Sequence, residues 1–269
     1  MKKARIVVLS LVAFICFFGI ANGEFSDYLG GEFRSSGVYS KFSSAVGIPY
    51  YEKYGGDVGI ELILKPLGVY ASAGFLSHFG ELDIENDNRF SEICILNVGW
   101  RHFTVIDEIQ FSRLDIGVTK WDFPDFFDKK VENDIVKLHA ETEDLLWHSS
   151  GNVNFVSSLL RAEAITPIQK GIENLSGINV YGGFIYEIKP LDTFSLFQEA
   201  GAGYDNGSFG YEPAWSLLYK IFSEFSYKFF TLRAPVLSAE YVNFKDKGDY
   251  DYWRDQNLYS YGGEIVFNF

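Results

Sequence analysis

Counting back from Phe269 in steps of two gives Phe267, Ile265, Gly263, Tyr261 and Tyr259, with Asn268, Val266, Glu264, Gly262 and Ser260 between them. A two-residue period places the first set on one face of an extended strand. That face is aromatic and apolar, and no polar tail follows Phe269. Chain ends ordinarily fray into water. An apolar closing strand needs a partner for its backbone hydrogen bonds and an apolar surrounding for its face. A membrane barrel supplies both; a buried strand of a soluble barrel or sandwich is the alternative.

The opposite end begins with Lys2, Lys3 and Arg5 and continues as an apolar stretch from Ile6 to Ile20, interrupted by Ser10 and Gly19. Ala21 and Gly23 then place small residues at the −3 and −1 positions of a cleavage site, so residues 1–23 read as a signal peptide cleaved after Gly23. The stretch is short for a membrane span of about 20 residues. An export signal combined with an alternating aromatic strand closing on Tyr261, Phe267 and Phe269 resembles the bacterial outer-membrane β-barrel proteins as a class. Gly262 and Gly263 sit one place off the commonest spacing of that C-terminal motif. The resemblance implies an antiparallel up-and-down transmembrane barrel over residues 24–269, located in the outer membrane. Its partners would be outer-membrane lipids and the barrel-assembly machinery, and Tyr261, Phe267 and Phe269 would be the assembly signal.

Composition agrees with that class and excludes others. Aromatic residues make up 18% of the chain and glycine contributes 26 residues, which suits a barrel with aromatic girdles. Beyond residue 23 there is no apolar run of the roughly 18 residues a membrane helix requires. The formal net charge is −13. Nucleic-acid binding requires clustered Lys and Arg, so no nucleic-acid partner is expected. Cys16 and Cys94 are the two cysteines. Cys94 stands alone after cleavage, which excludes an intramolecular disulfide and a cysteine metal cluster. No cofactor fingerprint is present.

Ten segments alternate as strands: 31–43, 57–65, 69–78, 91–102, 109–119, 177–189, 193–203, 214–228, 231–244 and 257–269. Lys65-Pro66-Leu67-Gly68 and Lys189-Pro190-Leu191-Asp192 are tight turns. Most segments approach the 9–11 residues of a tilted membrane strand, and an even number returns both ends to the periplasmic side. The face carrying Glu61, Arg113, Asp115, Lys220 and Glu224 is then the lumen, and its charges of both signs point to salt-bridged filling. Trp100, Trp121 and Trp215 lie near strand ends, where interfacial aromatics belong. Pro235 in the 231–244 strand fits an edge or a bulge.

Residues 120–175 break the pattern. Val131, Ile135, Leu138 and Leu145 recur at helical spacing, and a second stretch near 153–165 is entered through Ser150-Gly151-Asn152 and closed before Pro167. A barrel of about ten strands with a helical insertion at 120–175 is the expected fold. Eight strands, or twelve if 152–175 contains two further strands, are the alternatives.

A reactive constellation is hard to build. Ser77 and His78 are adjacent in a strand and point to opposite faces, so they cannot form a nucleophile–base pair. His78 with Asp83 and Asp87, and His148 with Asp144, match no catalytic motif. The acidic run Asp83-Ile84-Glu85-Asn86-Asp87-Asn88 alternates oxygen ligands but lacks the glycine and closing Glu of an EF-hand loop. The expectation is therefore a non-enzymatic barrel without metal or cofactor, acting as a small passive pore for polar solutes. Its alternatives are a closed barrel whose loops bind a surface ligand, and an enzyme of the rim.

Overall fold

The computed structural model describes residues 28–44, 51–82, 87–105, 109–124, 130–151, 153–168, 176–206, 213–244 and 256–269. Twelve strands follow in chain order: β1 Leu29–Ser44, β2 Tyr51–Leu64, β3 Val69–Leu82, β4 Asp87–Val105, β5 Ile109–Pro124, β6 Lys130–His148, β7 Asn154–Pro167, β8 Gly177–Leu191, β9 Phe194–Asp205, β10 Ala214–Tyr227, β11 Phe230–Phe244 and β12 Gln256–Asn268. Each pairs antiparallel with its chain neighbours, and β12 pairs with β1 to close the barrel. Closure leaves no unpaired sheet edge, which is what a strand-built structure needs in lipid.

The expected helical insertion is overturned. Residues 130–148 and 154–167 are wall strands β6 and β7, so the barrel has twelve strands and not about ten. No α-helix occurs among the described residues. The physical reason lies in what faces out. Lys137, His139 and Glu141 alternate with Val136, Leu138 and Ala140, which is a period-2 pattern. Its apolar half includes a small residue, and Lys, Leu, Ala and Glu are all good helix formers. A register shift between Leu145 and Trp147 breaks the alternation further on. Intrinsic propensity thus favoured a helix, and cross-strand pairing on both sides overrode it.

Five pairs of successive strand ends adjoin at one rim, the short-turn rim: Leu64 and Val69, Val105 and Ile109, His148 and Asn154, Leu191 and Phe194, and Tyr227 and Phe230. Between the first pair, Gly68 adopts φ +63°. A side chain there would stand 2.6 Å from the Arg101 carbonyl oxygen, so glycine meets both the left-handed backbone and the close approach. At the third pair, the Ser149 hydroxyl accepts the backbone N–H groups of Val153 and Asn154, at 3.2 and 3.1 Å. The strand ends Pro167 and Gly177, Asp205 and Ala214, and Phe244 and Gln256 lie at the other rim. Of the acidic run 83–88, residues 83–86 and the side chains of Asp87 and Asn88 lie outside the described residues, as do residues 1–27 with the expected signal peptide.

The seam between the first and last strands closes at the short-turn rim. Gly31 and Phe269 exchange both backbone hydrogen bonds, at 2.9 and 3.0 Å. The Phe269 ring covers Gly31, where a Cβ would lie 2.7 Å from the ring. Phe267 packs against Phe33 and Phe230, and Tyr261 against Tyr39. Pro235 lies in a register shift between Arg233 and Val236 of β11, where its missing N–H costs no ladder bond.

Candidate functional site: the lumen wall

Outward positions form an apolar belt. Leu96, Val98, Ile116, Leu138, Leu160, Ile178, Phe184, Leu217 and Ile265 are all exposed. Their number and continuity go far beyond what a water-facing surface carries. The side chains that fill soluble cores are therefore on the outside here, as a lipid-facing wall requires. Trp100 and Trp147 stand exposed toward the short-turn rim, and Trp215 toward the opposite one, where it packs on Tyr204. The Trp121 side chain lies outside the described residues; its backbone pairs with Asn133.

Inward positions carry the charge. Three arginines each bridge two glutamates. Arg101 on β4 reaches Glu61 of β2 at 2.6 Å and Glu32 of β1 at 3.4 Å. Arg161 on β7 reaches Glu141 of β6 at 2.6 Å and Glu199 of β9 at 3.0 Å. Arg233 on β11 reaches Glu224 of β10 and Glu264 of β12, both at 2.8 Å. Two strands separate β1 from β4, so the Arg101–Glu32 contact can form only across the concave face.

Other polar and charged groups share the inner wall with the triads. Arg113 pairs with Asp115 through its Nε at 2.7 Å. Its Nε also donates to the Tyr70 hydroxyl at 2.7 Å, and that hydroxyl donates to Asp115 at 2.5 Å. Arg101 and Arg113 are cross-strand partners of like charge. The Tyr70 ring lies beneath both guanidinium groups, 5.8 and 5.1 Å from their centres; its π-face offsets part of their repulsion. Ser36 donates to Asp57. Lys137 and His139 both approach Glu163, at 2.5 and 3.1 Å. The Lys220 ammonium stands 5.0 Å above the Phe222 ring.

Of the residues read from sequence, Glu61, Arg113, Asp115, Lys220 and Glu224 all stand on the inner wall, and Glu61 and Asp115 are buried. They do not form one cluster. Glu61 and the Arg113–Asp115 pair share one side with Tyr70, while Glu224 belongs to the Arg233 triad. Sequence reading missed Arg161, Glu141 and Glu199 in their role, because two of them lie in the segment read as helical. It also missed Arg101 and Arg233, although their alternation with apolar neighbours was open to the same argument.

His148 and Asp144 are not brought together. His148 Nδ1 lies 3.1 Å from the Ser149 carbonyl oxygen and its ring packs against Phe155. The side chains of Ser77 and His78 lie outside the described residues. Among the described residues, no group of His, Cys, Asp and Glu is arranged to hold a metal ion.

Comparison with solved structures follows the same geometry. The translocator domain of the autotransporter NalP from Neisseria meningitidis superposes with a TM-score of 0.53 at 13% identity, over 98% of this chain and 99% of that one. The β domain of the Bordetella autotransporter BrkA gives 0.52 at 12% identity, over 90% and 100%. An outer-membrane channel from Pseudomonas putida F1 gives 0.51 at 8% identity, over 90% and 95%. The fold is that of an outer-membrane β-barrel. No family model matches the chain, and no curated protein matches it in sequence. The likeness is therefore one of architecture at the level of the class.

Proposed function

We propose that the protein is a small passive pore of the bacterial outer membrane, without enzymatic activity, that admits small polar solutes. On this reading the chain is exported, loses residues 1–23, meets the barrel-assembly machinery and ends surrounded by outer-membrane lipids. The observation that carries the reading is the state of the inner wall. Arg101, Arg161 and Arg233 point inward, yet their side chains keep 33%, 35% and 39% of their surface accessible. A lumen packed solid with side chains would bury them. Partly accessible, ion-paired arginines line a space that water enters. The corrected fold supports the same reading, because the segment expected as a helical insertion is part of the wall.

The test is solute flux. Vesicles holding the folded protein, shrunk in impermeant stachyose and transferred to isotonic sugar, are expected to swell with arabinose and more slowly with sucrose. Vesicles that contain the folded barrel and swell no faster than empty ones would overturn the proposal.

A further inference from the structure

Each of the three inner-wall triads holds two carboxylates on one guanidinium, so each retains one surplus negative charge. The Arg113–Asp115 pair is self-compensating, and Lys137 is matched by Glu163. Further carboxylates are held by neutral groups: Glu187 by the Ser195 hydroxyl at 2.7 Å, and Glu240 by the Ser216 hydroxyl. Arg34 stands beside Asp57, which offsets it, and Lys220 opposes the surplus and does not cancel it. Glu61 Oε1 is taken by Arg101 and Oε2 is buried, so this carboxylate acts on the lumen through its field and not by contact.

We infer that the lumen prefers small hydrated cations to anions, and that the Glu–Arg–Glu triads are the element that sets this preference. The inference rests on the pore reading and adds a direction to it. Three surplus charges viewed from about 10 Å, in a water-filled lumen at 0.1 M salt, enrich K⁺ over Cl⁻ roughly fivefold. The guanidinium groups hold the carboxylates against the wall, so the surplus is fixed in place and needs no reorganisation as an ion passes.

The experiment is a reversal-potential measurement on the full mature chain in a planar bilayer, under a tenfold KCl gradient with the dilute side at 0.1 M. The wild type is expected to reverse on the cation side, with a permeability ratio near fivefold. Glu264→Gln should reduce that ratio and Arg233→Gln should raise it, because they change the same triad by opposite charges. Glu143→Gln, an exposed carboxylate of the Arg161 neighbourhood, should reduce it with less risk to folding. The preference should fade when the dilute side is raised to 1 M KCl under a threefold gradient, where the screening length falls to about 3 Å. A conducting barrel that reverses at zero or on the anion side overturns the selectivity and leaves the pore standing. A ratio that ignores all three substitutions removes the triads as its cause. A folded, inserted barrel that never conducts overturns both.

Discussion

Replacing Arg161 by Gln removes the cation that bridges Glu141 and Glu199, and its cost can be estimated from the geometry. The Glu199 side chain is 4% accessible, so losing a charge-assisted hydrogen bond there costs about 1.5–3 kcal/mol. Glu141 is more accessible, and its share is worth about 0.5 kcal/mol. The guanidinium also lies 5.7 Å from the Tyr181 ring centre, a contact worth about 0.5 kcal/mol. Against these stands the desolvation of the arginine itself, which the variant no longer bears. A net loss of about 2–3 kcal/mol follows. Urea unfolding in lipid vesicles, followed by tryptophan fluorescence and by the mobility difference between folded and unfolded forms on unheated gels, measures it. Glu199→Gln should lose less, since an amide still hydrogen-bonds the guanidinium. The double variant should fall short of the sum of the two by at least about 1 kcal/mol, as coupled groups do. A loss below about 0.5 kcal/mol for Arg161→Gln, or simple additivity, would refute the bridging role.

Other substitutions test separate parts of the structure. Tyr70→Phe removes the hydroxyl shared by Asp115 and Arg113 and should cost about 1–2 kcal/mol in the same urea assay. Gly31→Val pushes a side chain into the Phe269 ring and the Glu61 carbonyl oxygen, 2.5 Å from a Cβ, and should cost about 1–3 kcal/mol; unchanged stability would show that the seam is looser than described. Leu217→Arg, on the exposed outer face, should cost about 2–4 kcal/mol if that face meets the middle of the bilayer, whereas a water-facing position would tolerate it. Intact mass of the protein isolated from outer membranes should correspond to a chain starting at Glu24.

Much of the wall was legible because most strands obey a two-residue period with an apolar outer half. Strand β10 shows why: Trp215, Leu217 and Tyr219 are exposed, and Ser216 and Lys220 are turned inward. Strands β6 and β7 were not legible for a local reason. Ala140, Ala162 and Ala164 face outward where Leu or Val would have announced a strand, and the inward Lys137, Glu141, Arg161 and Glu163 are helix formers in isolation. A barrel strand is held by two neighbours, and that pairing is invisible to any window of one segment. The charged inner face could be assigned residue by residue for the same reason that the strands could. The triads could not, because Arg101 and Glu32 are 69 residues apart, and their meeting depends on register across three strand pairs.

The central claim is that water and ions cross the barrel through its lumen, and planar-bilayer recording tests it most directly. The mature chain, refolded and verified by its mobility on unheated gels, should insert and give discrete, reproducible openings. Their size should change when Arg113 or Lys220 is replaced by a neutral residue. Stable insertion of the folded barrel with no conductance above the bare membrane would contradict the claim.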